Sequence, residues 1–192
     1  MKKILIFITI FFSMISTVNA EDIKRIIVGN KDAKITIIAF ESLTCSHCAN
    51  FHKDVYPQLK DEYLDTGLAK IEFRHFPLDV AAFNASKVSQ CKNDGDSTIL
   101  NSLFSNQQKW VKGSSAAEAN KNLQKFLISE GFDIEFEKCI NNKEIEDFVL
   151  NDRIDGVKNF KINATPTIII NNKKFEKTLN YKNLKKALEK LI

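Results

Sequence analysis

The sequence predicts an α/β fold in which a sheet is interrupted by an all-helical block, and three observations carry that prediction. Apolar, β-branched runs at 26–28, 35–40 and 69–73 lie before residue 78, and another at 167–170 lies after residue 160. Between them, residues 79–160 show helical periodicity and helix-start signals without a convincing strand. No Pro/Gly/Ser-rich boundary flanks that block, so it reads as a helical insertion, 79–160, in a domain made of 21–78 and 161–192.

The run at 26–28 ends at the turn signal Gly29-Asn30. Residues 35–40 (Ile-Thr-Ile-Ile-Ala-Phe) are nearly continuous, as in a strand buried on both faces. From Ser46 to about Tyr63, Cys48, Phe51, Val55, Leu59 and Tyr63 share one helical face, and Pro57 predicts a kink. Residues 69–73 alternate, Ile71 and Phe73 against Lys70, Glu72 and Arg74, and Pro77 ends the strand. In the helical block, Asp96 or Ser97 caps a helix to Trp110. Ser115 and Glu118 form a capping box opening a helix to about Ser129, closed by Gly131. Asp133 caps a short helix reaching Cys139, and a longer one runs from about Lys143 to Asn159. Residues 167–170 then lead through the turn Asn171-Asn172 to a short strand at 174–176. A final helix places Leu184, Ala187, Leu188 and Leu191 on one face.

The chain has 192 residues with 15 Phe, 6 Gly and 3 Pro, enough apolar bulk for a sizeable core and little for linkers. Residues 1–20 read as a cleavable export signal: Lys2-Lys3, an apolar stretch at 4–12, then Val18-Asn19-Ala20, with cleavage after Ala20. An uncleaved anchor is the alternative, although the apolar stretch is short of the roughly 20 residues a spanning helix needs. Cleavage removes Lys2 and Lys3 and no acid, lowering the net charge from +4 to +2. That balance, with no basic stripe, does not argue for nucleic acid. Lys182, Lys185, Lys186 and Lys190 fit the solvated face of the last helix.

Four cysteines follow the signal, an even set that suggests disulfides in an exported chain. Spacing selects Cys45 with Cys48 and Cys91 with Cys139, with two buried free thiols as the alternative for the second pair. Cys45 follows a buried strand and opens a helix, where unpaired backbone N–H groups and the helix dipole favour a thiolate. It is the candidate nucleophile, Cys48 the candidate resolving thiol, and His47 a group that stabilises the Cys45 thiolate. A zinc or copper site drawing on His47 and His52 is a weaker reading, since no second C-x-x-C or H-x-H is present. An inert bridge is weaker too, because a two-residue loop closes little entropy. No metal or cofactor is assigned.

Residues 40–52 (Phe-Glu-Ser-Leu-Thr-Cys-Ser-His-Cys-Ala-Asn-Phe-His) resemble the active-site segment of the DsbA-like thiol–disulfide oxidoreductases, and the short alphaproteobacterial members most of all. Residues 74–79 (Arg-His-Phe-Pro-Leu-Asp) and Thr165-Pro166-Thr167 resemble two further family segments. The resemblance implies a thioredoxin fold with an inserted helical domain between the third strand and the C-terminal strand pair. It also implies a cis peptide at Thr165–Pro166, with Thr165 offering its backbone to substrate. Relatives often have Pro-His between the cysteines and a glutamate where Ala39 stands. Here Ser46 replaces the proline, and Glu41, on the same strand face as residue 39, becomes a candidate displaced proton relay for Cys48. A surface glutamate at a strand end is the alternative reading. Thr44 in place of a tryptophan before Cys45 disfavours thioredoxin itself.

The resemblance implies a periplasmic oxidase acting on reduced or unfolded exported proteins and reoxidised by a DsbB-like membrane partner. The alternatives are a reductase or isomerase kept reduced and, from another class, a redox-inactive peptide-binding or chaperone module. A monomer is expected, since isomerase-like relatives dimerise through an extra N-terminal domain.

Overall fold

The computed structural model describes residues 22–192; the expected export signal, 1–20, lies outside the described residues. Five strands form one sheet: β1 (Ile27–Gly29), β2 (Ile35–Glu41), β3 (Ala69–His75), β4 (Thr167–Ile170) and β5 (Lys173–Lys174), in the order β1-β3-β2-β4-β5. β2 is central and parallel to β3, with Ile37 opposite Ile71 and Glu41 opposite His75. The remaining pairs are antiparallel.

The central strand is buried on both faces, as its continuous apolar run predicts. Ile35, Ile37 and Ala39 enter the larger core with Ile71, Phe73, Phe51 and Leu59. Ile38 and Phe40 enter a smaller core with Phe76, Ile162 and Ile169. β1 is shifted by one residue from its expected place and ends at Gly29. There φ is +101°, and a Cβ would lie 2.5 Å from the Ala69 carbonyl oxygen, so glycine is needed. The β4–β5 hairpin turns through Asn171 and Asn172, both at positive φ, a two-residue turn that matches strand twist. Its second strand is Lys173–Lys174, earlier than the expected 174–176.

The expected helix from Ser46 to Tyr63 is three segments: α1 (Ser46–Asp54), α2 (Tyr56–Leu59) and a π-helical turn at Lys60–Leu64. The break falls at Val55 rather than at Pro57. Pro57 stands in the first turn of α2, where no intrahelical N–H is required. All five residues of the predicted face are buried.

Six helices connect β3 to β4: α3 (Val80–Gln90), α4 (Thr98–Ser105), α5 (Gln107–Trp110), α6 (Ala116–Ser129), α7 (Phe136–Ile140) and α8 (Lys143–Phe160). The expected helix ending at Trp110 is divided at Asn106 into α4 and α5. Ser115 caps α6 through Glu118 N–H at 3.2 Å, while the Glu118 carboxylate turns to Ser114. Asp133 does not cap α7, which starts after Glu135 without a side-chain cap. A disulfide joins Cys91, at the C-terminus of α3, to Cys139 in α7, with Cα atoms 5.4 Å apart. α8 lies over the sheet face opposite α1, its Gly156 against Phe40 and Phe76. The last helix, α9 (Tyr181–Leu188), buries Leu184 and Leu188 and stops short of Leu191. Among the described residues no helix is long and apolar enough to cross a membrane.

Candidate active site

β2 delivers the chain to a turn at 42–45, closed by Cys45 N–H donating to the Ser42 carbonyl at 3.0 Å, and α1 starts there. Cys45 is the N-cap, with extended backbone angles, and its carbonyl accepts from the N–H groups of Cys48 and Ala49, each at 3.1 Å. Its sulfur is partly exposed, whereas Cys48 is completely buried on the first turn. Both thiols are free, so this is the reduced form.

The loop before β4 meets this turn from 120 residues away. The Thr165–Pro166 bond is cis, and the Cys45 thiol, in its protonated form, donates to the Thr165 carbonyl at 3.3 Å. Beside it, His47, Phe51, Val55, Pro166, Leu179 and Tyr181 line a cleft of about 480 Å³. The His47 ring is exposed, and the contact by which His47 acts on Cys45 is its backbone N–H.

The electrostatics divide the two thiols. Hydrogen bonding from the Cys48 thiol lowers the Cys45 pKa most, burial opposes it, and the Thr165 side chain and the N–H groups of Cys48 and His47 lower it further, to about 5 from an ordinary 9.0. Burial pushes the Cys48 thiol strongly up, helped by its bond to Cys45 and the charge of Glu41. One sulfur is therefore a thiolate at neutral pH while its neighbour holds a proton.

Glu41 is not a surface residue. It is 4% exposed, and its carboxylate is 2.9 Å from Nε2 of the equally buried His52. Burial raises the Glu41 pKa, and the charge and hydrogen bond of His52 oppose that rise. The His52 ring stacks on Phe104, centroids 4.0 Å apart, so this histidine faces the core and not the cysteine pair. Among the described residues no three His, Cys, Asp or Glu side chains are grouped to hold a metal ion.

Two holders of the turn come from the helical block and escape sequence reasoning. The Gln107 amide nitrogen donates to the carbonyls of Leu43, at 2.7 Å, and Cys45, at 3.0 Å. Asp79 caps α3 through Ala82 N–H and accepts the Thr44 hydroxyl at 2.6 Å. A glutamine bound to backbone carbonyls leaves no sequence mark, and the Asp79 cap is hidden because the helix it opens carries no apolar–polar contrast.

Residues 21–190 match the family model Thioredoxin_4, described as thioredoxin. A putative protein-disulfide oxidoreductase of Rickettsia bellii is 27% identical over 175 residues, covering 89% of this chain and 66% of the relative. The chain spans only 62% of the corresponding Rickettsia prowazekii protein, so these relatives are about half as long again. The disulfide bond formation protein D of Bacillus subtilis is 28% identical, covering 85% of this chain and 75% of the relative. In three dimensions the crystal structure of alpha-DsbA1 from Wolbachia pipientis is similar with a TM-score of 0.77 and 29% identity, covering 87% of this chain and 90% of that one. The Cys45–Cys48 turn thus sits in a DsbA-like thioredoxin fold with a helical insertion, and the chain belongs to the Thioredoxin_4 family.

Proposed function

We propose that this chain is a periplasmic thiol–disulfide oxidase that donates the Cys45–Cys48 disulfide to newly exported proteins. The observation that carries the reading is Cys45 at the helix N-cap beside the cis Thr165–Pro166 bond, with its thiolate held to a pKa of about 5. A stable reduced thiolate makes the corresponding disulfide a stronger oxidant.

A substrate thiolate attacks Cys45 Sγ, the Cys45–Cys48 bond breaks, and the bonding electrons leave on Cys48, which takes up a proton. A second substrate thiolate then attacks the substrate sulfur of the mixed disulfide and expels Cys45 as thiolate. Two electrons pass from substrate to protein, and a DsbB-like membrane oxidase removes them. Glu41, in electrostatic reach of Cys48 and paired with His52, supplies the proton to the leaving sulfur. The substrate chain lies along Thr165 as an added strand, with the adjoining cleft taking its side chains. Residues 79–160 act as an insertion into the thioredoxin-fold part, 21–78 and 161–192, and the protein works as a monomer after cleavage behind Ala20.

The test is the equilibrium of the Cys45–Cys48 pair with glutathione. A potential near DsbA's value of about −120 mV supports the oxidase, and one near thioredoxin's, about −270 mV, assigns a reductase. No redox equilibrium leaves the peptide-binding module.

A further inference from the structure

The turn carrying Cys45 is braced by a side chain that lies 62 residues away in the sequence. The Gln107 amide nitrogen has two protons and spends both on this turn, one on the Leu43 carbonyl and one on the Cys45 carbonyl. Leu43 is buried at 1% exposure, so its carbonyl has little access to water as a substitute partner. The Cys45 carbonyl is also the first acceptor of α1.

Both carbonyl oxygens carry partial negative charge within two residues of a sulfur that must become an anion. An amide N–H on each offsets that charge and fixes which way the peptide planes face. Gln107 is itself rigidly mounted. Its short helix ends at Trp110, 1% exposed, whose ring nitrogen donates to the Leu103 carbonyl at 2.9 Å. Loss of the amide leaves two carbonyl dipoles beside the thiolate and frees the turn to rotate, without removing any group that contacts Cys45 Sγ.

We infer that Gln107 is a positioning residue for the redox centre, through which the helical block sets the stability of the Cys45 thiolate. The inference rests on the oxidoreductase reading of Cys45 and Cys48. The experiment uses the full chain with Gln107→Met, of similar length without donors, and Gln107→Glu, which adds a charge. Gln124→Glu on α6 serves as a charge control. Two quantities are read: thiolate absorbance against pH, and the equilibrium constant with glutathione.

For Gln107→Met the glutathione equilibrium shifts about three- to tenfold toward the disulfide form of the protein, as expected for one or two lost hydrogen bonds. The thiolate titration moves to higher pH. Gln107→Glu shifts both further in the same direction, and Gln124→Glu shifts neither. Both Gln107 variants within twofold of the parent overturn the inference, even if their melting temperatures fall, because a purely structural brace moves stability alone. Should one variant fail to fold, the other reads the same two quantities. A parent chain that neither titrates nor equilibrates with glutathione overturns the oxidoreductase reading first, and the inference with it.

Discussion

At the scale of single residues, the turn from β2 into α1 separates two sulfurs three positions apart into an anion and a protonated thiol. Hydrogen bonding, from the Cys48 thiol first and from Thr165 and the backbone N–H groups of Cys48 and His47 after it, accounts for Cys45, and burial accounts for Cys48. The proton that must come and go on Cys48 needs a buried carrier, and the pair Glu41–His52 has the chemistry for one. Oε1 of Glu41 and Nδ1 of His52 have no hydrogen-bond partner, so the pair has spare capacity to accept or pass a proton. Because burial raises the Glu41 pKa, its acid form persists above the ordinary 4.5 and fades as pH rises through the raised value. Glu41→Gln keeps the shape and removes the titration. Disulfide donation to a dithiol peptide should slow by about a hundredfold or more, within the range general acid catalysis supplies, and lose the pH dependence due to Glu41. Stopped-flow rates between pH 4 and 9 check this; an unchanged rate and profile would remove Glu41 from the mechanism. Cys45, Cys48, Thr165 and Pro166 were legible from motif and resemblance. His52 was legible only as a weakly supported metal ligand, because its pairing with Glu41 is set by how α1 lies against β2 and not by spacing.

Among the elements, α8 shows how a helix is fitted to a sheet. Asp152 reaches Arg25 Nη1 at 2.8 Å and the His75 N–H at 3.0 Å, tying the helix to the segment before β1 and to the end of β3. One turn further on, Gly156 lets the helix descend onto aromatic rings. A Cβ there would stand 2.9 Å from Phe40 Cε1 and 3.3 Å from Phe76 Cδ2. Alanine would gain about 1 kcal/mol of helix propensity in an exposed position. Here overpacking against two rings outweighs that, and Gly156→Ala should destabilise by about 1–2 kcal/mol in urea unfolding. A neutral or stabilising result would show that the rings can move aside. The same elements mark the limit of pattern reading. α6 announced itself by its capping box, and α8 was expected over nearly its observed span. α3 did not, because it is buried on nearly all sides from Asn84 to Gln90, polar residues included, so no apolar–polar contrast appears along it. Two of its polar side chains find tertiary partners: Lys87 donates to the Ile140 carbonyl, and the Gln90 amide to His75.

On the scale of the whole molecule, two features outside the redox turn set its stability. The Cys91–Cys139 bridge spans 48 positions and ties α3 to α7. In the chain-entropy model its loss costs about 4 kcal/mol. Replacing both cysteines by serine should lower unfolding free energy by about that amount while leaving the glutathione equilibrium of Cys45–Cys48 in place. A variant with unchanged stability would show that helix packing alone holds α3 to α7. The second feature is His75, 3% exposed at the end of β3. Its Nε2 accepts from the Gln90 amide at 2.9 Å, which requires the neutral ring. Burial, with the charge of Arg25 behind it, lowers its pKa to about 3 from 6.5. The folded protein therefore refuses a proton that the unfolded chain accepts below pH 6.5, and stability falls as pH drops from there toward 3. Each pH unit in that window costs about 1.4 kcal/mol, so the residue alone should remove about 3 kcal/mol between pH 6.5 and pH 4. Asp152 works in the opposite sense: burial raises its pKa, so its contribution is fully present at low pH and is lost as pH rises. His75→Gln retains an acceptor for Gln90 and removes the titration. Urea unfolding at pH 7 and pH 4 should show the variant losing about 3 kcal/mol less on acidification than the parent does. Equal losses in the two proteins would mean that His75 takes up its proton in the folded state, and that the packing of α3 and α8 against β3 tolerates the charge.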